Sequence, residues 1–210
     1  MLTDAQIDRY SRQIILPEVG GLGQERLLAA RITVLAEIED LAPALNYLVG
    51  AGVGTIHLAC TTDTASISLV IGSMAELNPD VSIKPWAAAQ AKDDQALIVF
   101  AGSDRTIAAA RRINKSPSYA RVIFARMGEP CLVAVLTSRP PCLECAGTAL
   151  LAPVQRGPSA VPVGMVAAVE TIKCLLAIAP QPSRLIEFSG YESRSRRLEA
   201  PSREGCPICN

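Results

Sequence analysis

From Arg31 to Cys60 the chain reads RITVLAEIEDLAPALNYLVGAGVGTIHLAC. Arg31–Ala36 is a short apolar run of the kind that forms a buried strand. Residues 41–50 read as a helix, which Gly52-Val53-Gly54 ends, and Thr55–Cys60 is the next strand. Strand, helix and strand in that order form the unit of a parallel sheet. The stretch from Leu41 to Thr62 carries no formal charge, and its length raises the question of a membrane span. Pro43, Asn46, Gly50, Gly52 and Gly54 lie within it, and a helix, a glycine turn and a strand account for it better.

The alternation continues outward from this segment. Residues 66–77 read as a helix closed by Asn78-Pro79, 81–86 as a strand, and Ala96–Ala101 (ALIVFA) as a fully buried strand. Residues 105–113 follow as a helix with Arg111 and Arg112 on its outer side. Residues 121–125 and 132–137 are further strands, and 159–179 is a long helix whose only charges are Glu170 and Lys173. Residues 184–189 and 194–198 resemble a hairpin around Gly190. This order predicts an α/β fold: a Rossmann-like, doubly wound, mostly parallel sheet with helices on both faces. One domain is expected over 1–210: an N-terminal arm and helix over 1–30, the Rossmann-like core over 31–137, and a C-terminal part over 138–210. No fixed-period repeat and no low-complexity segment interrupts it.

Bulk properties narrow the function. Half of the residues are hydrophobic but only 4% are aromatic, so the core is aliphatic. Lys+Arg and Asp+Glu both count 20, and the net charge is zero. Such a chain has no global electrostatic pull toward nucleic acid or anionic membrane. The start, MLTDAQIDRYSRQ, is polar and acidic and does not read as a signal or transit peptide, so a cytoplasmic protein is expected.

Seven cysteines are present, and four fall into two C-x-x-C pairs, Cys142-Leu-Glu-Cys145 and Cys206-Pro-Ile-Cys209. Each pair can present both sulfurs to one metal from a tight turn, and two pairs complete a tetrahedral thiolate shell suited to structural Zn²⁺. Pro140-Pro141 precedes the first pair and Pro207 lies inside the second, which favours rigid knuckles over helix interiors. A reducing compartment disfavours two disulfides, and a thioredoxin-like motif requires a pair that opens a helix. An iron centre draws on similar ligands. The zinc would tie a C-terminal extension to the body without an open coordination position. Cys60, Cys131 and Cys174 lie in apolar runs and read as buried, inert core thiols.

In a doubly wound sheet, nucleotides bind at the carboxyl ends of the strands, where glycines let the backbone approach phosphate. Here the first strand runs into Ala36-Glu37-Ile38-Glu39-Asp40-Leu41, with three carboxylates and no glycine. Acidic residues in a first helical turn serve the dipole and act as caps, and this loop is poorly suited to a triphosphate. Gly20-Gly21-Leu22-Gly23 looks like a phosphate loop, but no buried strand leads into it; it reads as a turn between an arm and a helix. His57 alternates with Ile56 and Leu58 and reads as a polar outer-face residue, and Trp86 beside Pro85 as packing.

Arg9-Tyr10-Ser11-Arg12-Gln13 through Pro17-Glu18-Val19-Gly20, then Gly23-Gln24-Glu25, resembles the opening of the ThiF/MoeB/HesA proteins, bacterial relatives of ubiquitin-activating enzymes. Tyr47-Leu48 with Gly50-Ala51-Gly52-Val53-Gly54-Thr55-Ile56 resembles the helix and strand after their ATP loop. Leu77-Asn78-Pro79, the paired cysteines, Val163-Gly164 and Glu170-Thr171-Ile172-Lys173 extend the similarity nearly from end to end. The resemblance implies Mg-ATP-dependent adenylation of the C-terminal glycine of a ubiquitin-like sulfur carrier by a homodimer. It assigns the zinc site to Cys142, Cys145, Cys206 and Cys209, a metal-binding role to Asp104, and a nucleotide contact from the partner subunit to Arg12. The low-charge helix around 164–179 and the apolar second helix offer faces for the dimer.

This chain departs from that pattern at the nucleotide. The ATP-loop glycines are absent from 36–41, Cys60 stands at the ribose-binding Asp, and Thr62 at an Asp two positions on. From Thr61 to Leu77 no Arg or Lys stands where the family has its phosphate Arg and catalytic Lys, and 148–159 contains no sulfur-accepting Cys. Arg12 and Asp104 then remain as vestiges; Asp104 reads first as a helix cap, and Arg9 and Arg12 serve a dimer network as readily as a nucleotide. The expectation is a pseudoenzyme with no catalytic residues, doubtful ATP and Mg²⁺ binding, and a role in binding a carrier or an active relative. A working adenylyltransferase with a rebuilt ATP site is the alternative.

Overall fold

The computed structural model of the chain describes residues 1–60, 64–88, 91–114, 119–137, 141–150, 160–178 and 183–206. The segment 61–63, Pro140, residues 151–159, Ala179, Pro207 and Cys209 lie outside the described residues.

Two helices open the chain, α1 (Asp4–Ile14) and α2 (Gly20–Ala29). Thr3 and Gln6 start α1 with a reciprocal capping box. Gly20, at φ +58°, begins α2 with no strand leading into it, and Gly21, Leu22 and Gly23 lie within the helix, so the glycine run is the first turn of α2 and not a turn ahead of it. The α/β alternation then runs β1 (Arg31–Ala36), α3 (Ile38–Gly50), β2 (Thr55–Cys60), α4 (Thr64–Leu77), β3 (Ser82–Pro85), β4 (Ala96–Ala101), α5 (Asp104–Asn114) and β5 (Arg121–Arg126). It closes with β6 (Cys131–Thr137), α6 (Leu143–Leu150), α7 (Ala160–Leu175), β7 (Arg184–Ser189) and β8 (Arg194–Glu199).

All eight strands form one sheet in the order β3-β2-β1-β4-β5-β6-β7-β8. Pairings from β3 to β5 are parallel, and those from β5 to β8 antiparallel. The winding reverses between β1 and β4: α3 and α4 lie on one face, α5 and α6 on the other, and α7 returns to the face of α3. One core packs Leu41, Leu45 and Leu48 of α3 and Val163, Ala167 and Ala168 of α7 on Ile32, Val34, Ile98 and Phe100. The other packs Ile107 and Ala110 of α5 and Leu143, Ala146 and Leu150 of α6 on Leu97, Val99, Phe124 and Leu136.

The stretch from Leu41 to Cys60 is a buried helix, a turn and a strand, and no helix among the described residues is long and apolar enough to cross a membrane. A Schellman motif ends α3: the N–H of Gly52 donates to Val49 and that of Val53 to Leu48. Gly52 takes φ +82° there, and a Cβ on it would lie 2.7 Å from the Tyr10 hydroxyl. Gly54 packs more closely still: its Cβ would fall 1.8 Å from the Leu28 carbonyl oxygen. The glycine run after α3 therefore serves close packing against α1 and α2.

Two further expectations are corrected. His57 is not on an outer face; it is 1% exposed, because both faces of a doubly wound sheet are covered. The Cys142–Cys145 pair is not a knuckle outside helices: Cys142 immediately precedes α6, and Cys145 lies within its first turn.

Candidate functional site

The opening motif works as a clamp. The Arg9 guanidinium donates to Asp80 at 2.6 Å, and Tyr10, fully buried, donates its hydroxyl to Asp80 at 3.1 Å. Asn78 donates to the Tyr10 hydroxyl at 2.9 Å and to the Val49 carbonyl at 2.7 Å. Gln13 and Gln24 donate to the carbonyls of Gly50 and Ala51. Motifs far apart in sequence, Arg9–Gln13, Gly50–Gly54 and Leu77–Asp80, thus form one contact network. Burial alone would raise the Asp80 pKa, but hydrogen bonds from Gln6, Tyr10 and Arg9 outweigh it and hold the carboxyl below its ordinary range. Burial is the main cause that pushes the Tyr10 phenol up.

Ligands of doubly wound sheets sit in the crevice where the strand order reverses, here between the carboxyl ends of β1 and β4. Glu37 occupies it. This residue is the N-cap of α3 but makes no capping bond with its side chain. Its carboxylate instead accepts a short hydrogen bond from the Ser103 hydroxyl at the end of β4. Ser103 Oγ also receives the Thr106 N–H at 3.4 Å, so Ser103 holds the capping place of α5 and Asp104 is exposed in the first turn. Asp40 is buried at 4% exposure. Carboxylates and a cross-crevice hydrogen bond thus stand where a nucleotide site presents backbone N–H groups. Arg12 is exposed in the last turn of α1, and no hydrogen bond or ion pair among the described residues brings it to Asp104.

A buried polar chain lies beside the crevice. Tyr119 donates to Thr33 at 3.1 Å, Thr33 donates to Asp94 at 2.6 Å, and Asp94 lies 2.8 Å from His57 Nδ1. Thr33 and His57 are register partners on β1 and β2. Nothing in the local sequence announces this set, since Asp94 enters from the loop before β4. Next to it, at the carboxyl ends of β1 to β3, a cavity of about 790 Å³ includes Cys60, Trp86 and Tyr119 in its walls. Cys60 and Cys174 are half-buried, and only Cys131 of the three remaining cysteines is fully buried. Burial is the main cause that raises the Cys174 thiol pKa.

Three sulfurs converge in the C-terminal part. Cys142 Sγ lies 3.9 Å from Cys145 Sγ and 3.7 Å from Cys206 Sγ, all three residues being buried. Those separations exceed a disulfide bond and match the edge, about 3.8 Å, of a tetrahedron with zinc–sulfur bonds of about 2.3 Å. The donor set therefore fits a thiolate-bound metal with one ligand place left beyond the three. The pair at Cys142 opens a helix, as a redox motif also does, but the third sulfur from the tail fits a metal better.

Where α7 packs on the sheet, Glu170 of α7 ion-pairs with Arg184 of β7 in a buried setting and with Lys173 at 2.8 Å.

The chain is similar along its length to the SAMP-activating enzyme E1 of Haloferax volcanii, 27% identical over 99% of this chain and 90% of that protein. It is 26% identical to the Sulfur carrier protein adenylyltransferase of Thermus thermophilus, over 99% of this chain and 92% of that one. The Molybdopterin-synthase adenylyltransferase of Salmonella typhimurium matches at 24%, with 99% and 98% covered. These similarities, over nearly the whole chain, support the resemblance to the ThiF/MoeB/HesA family.

The match to the Haloferax protein extends over 255 positions, more than this chain's 210 residues, so that relative carries segments this chain lacks. Longer relatives are also matched: the chain spans 52% of the Adenylyltransferase and sulfurtransferase uba4 of Aspergillus fumigatus. Among solved structures, Escherichia coli MccB in complex with MccA-N7isoASN superposes with a TM-score of 0.72 over 96% of this chain and 75% of that one, at 14% identity. PaaA does so at 0.70 over 95% and 84%, also at 14% identity. These structures share the fold. No model of a known protein family matches the chain.

Proposed function

We propose that this chain is a non-catalytic member of the family that acts by binding protein partners. The observation that carries the reading is the Ser103–Glu37 hydrogen bond, which spans the crevice between β1 and β4 with a carboxylate in the place of phosphates. Asp40 places a second carboxyl group in the first turn of α3, where it is buried. Phosphoryl and adenylyl transfer depend on positioned cations and backbone donors. The first strand instead ends in carboxylates, and Cys60 stands at the place of the ribose clamp.

The partner this reading favours is a ubiquitin-like sulfur carrier or an active relative, with a homodimer as the working form and the cytoplasm as its place. Arg12 and Asp104 are then remnants of the nucleotide site. Cys142, Cys145 and Cys206, with Cys209, would hold a structural Zn²⁺. When bound, the metal supplies a cross-link of the tail to α6, and the chain's own residues do the rest: the sheet positions the clamp of Arg9, Tyr10 and Asp80, and α3 and α7 shape the surface. The single domain over 1–210 belongs to the same proposal.

The printed names of the relatives favour a second reading, an active sulfur-carrier adenylyltransferase with a rebuilt ATP site. ATP–pyrophosphate exchange with a candidate carrier separates the two. The non-catalytic reading expects no exchange above background; turnover that depends on the carrier would overturn it.

A further inference from the structure

The cavity beside the closed crevice has a composition of its own. It measures about 790 Å³ and opens at the carboxyl ends of β1, β2 and β3. Its walls are apolar: Leu35, Ala59, Ile67, Ala109, Ile113 and the ring of Tyr119 contribute most of them. Around these walls stand Lys92, Arg105 and Arg112, each exposed, while no carboxylate lines the cavity among the described residues. The chain as a whole is neutral, so a cavity whose charged lining, among the described residues, is cationic departs locally from that balance, with Lys92 and Arg112 carrying the argument. A second observation is independent of charge. Trp86 lines the same cavity, and its indole N–H is buried with no hydrogen-bond acceptor among the described residues. Buried donors are almost always paired, and a donor at a cavity wall with no acceptor among the described residues suits an acceptor on a ligand.

We propose that this cavity binds a small amphipathic carboxylate, its apolar body against Leu35, Ala109 and Tyr119 and its carboxylate facing Lys92 and Arg112. Apolar walls with a few convergent polar groups are the usual build of small-molecule sites. Cations at the rim select for charge, and the indole N–H donates to an acceptor on the ligand. The assignment to a carboxylate in place of a nucleotide rests on the non-catalytic reading, because Glu37 and Asp40 stand on the phosphate side of the neighbouring crevice.

The test uses the full-length protein and the fluorescent aromatic anion 1-anilinonaphthalene-8-sulfonate as reporter. The proposal expects saturable binding of the reporter and its displacement by decanoate, with neither decanol nor acetate displacing it at the same concentration. Replacing both exposed cations, Lys92→Gln with Arg112→Gln, is expected to weaken decanoate about tenfold. Ala109→Trp, which fills the cavity without touching the rim charges, is expected to abolish reporter binding. Displacement by decanol as effective as by decanoate, or affinity unchanged in the double variant and in Ala109→Trp, would overturn the cavity assignment alone. Displacement by Mg-ATP in the low micromolar range would overturn the non-catalytic reading and the choice of a carboxylate with it.

Discussion

Asp80 shows how single residues of a family signature act. Three donors, Gln6, Arg9 and Tyr10, converge on its carboxylate and hold its pKa below the ordinary 3.8 despite burial. A carboxylate depressed in the folded state contributes stability that is complete above its unfolded pKa and lost as pH falls through the folded value. Acid melting of the wild type is therefore expected to steepen below about pH 4, while Asp80→Asn melts lower at neutral pH and loses less on acidification. Thermal melts of both proteins across that range check this; parallel curves would remove Asp80 from the account. Gly54 tests packing at the same scale. With the Leu28 carbonyl 1.8 Å from an added Cβ, Gly54→Ala must move backbone, and a loss of about 1–3 kcal/mol in denaturant unfolding is expected. The first signature residues were legible as a family motif, but their purpose was not. Arg9 had been weighed for a dimer or a nucleotide, and its partner Asp80 stands 71 positions away. His57 was misread for the same kind of reason: period-two alternation marks an exposed face only where one side of a sheet meets water, and Asp94 lies in a loop that no local pattern singles out.

At the scale of elements, β1, β2, β4, β7 and the body of α3 could be read from apolar runs and glycine turns, because each is decided locally. Helix α3 begins three residues before its expected start, since Ile38, Glu39 and Asp40 extend it up to the Glu37 N-cap. Helix α6 is not expected from the sequence: it is eight residues long, and the cysteine pair with its prolines points to a knuckle. Its apolar positions Leu143, Ala146 and Leu150 follow a helical period that was available in the sequence. The convergence of Cys142, Cys145 and Cys206 carries an element-level prediction. Purified protein is expected to contain about one zinc per chain, and Cys206→Ser to lose it and melt at lower temperature. Elemental analysis that finds no metal, with Cys142 and Cys145 joined as a disulfide, would contradict the site. The Glu170–Arg184 pair between α7 and β7 is a further test. Removing one partner of a buried pair leaves the other uncompensated, so Arg184→Met is expected to cost about 3–5 kcal/mol in equilibrium unfolding. A cost below about 1 kcal/mol would mean that the pair is solvated in practice.

For the whole molecule, the expected mostly parallel α/β sheet is the observed one, because strand–helix–strand order constrains topology strongly. Its closed crevice could not be foreseen in full. Three carboxylates after β1 were plain in the sequence, but the Ser103–Glu37 bond joins positions 66 residues apart and exists only because β1 and β4 are neighbours. Tyr47, Val161 and Val169 remain exposed on α3 and α7, which otherwise cover each other. A homodimer is expected to use that region, with light scattering giving twice the 22.2 kDa of the chain at micromolar concentration and Val169→Glu shifting it toward monomer. The central claim concerns the crevice itself, and calorimetric titration with Mg-ATP tests it most directly. The account predicts no saturable heat up to millimolar nucleotide, because a micromolar site needs about 8 kcal/mol of favourable contacts that this crevice, bridged by Glu37 and Ser103, does not offer. A dissociation constant in the low micromolar range, lost when Ser103 and Glu37 are both replaced by alanine, would contradict it.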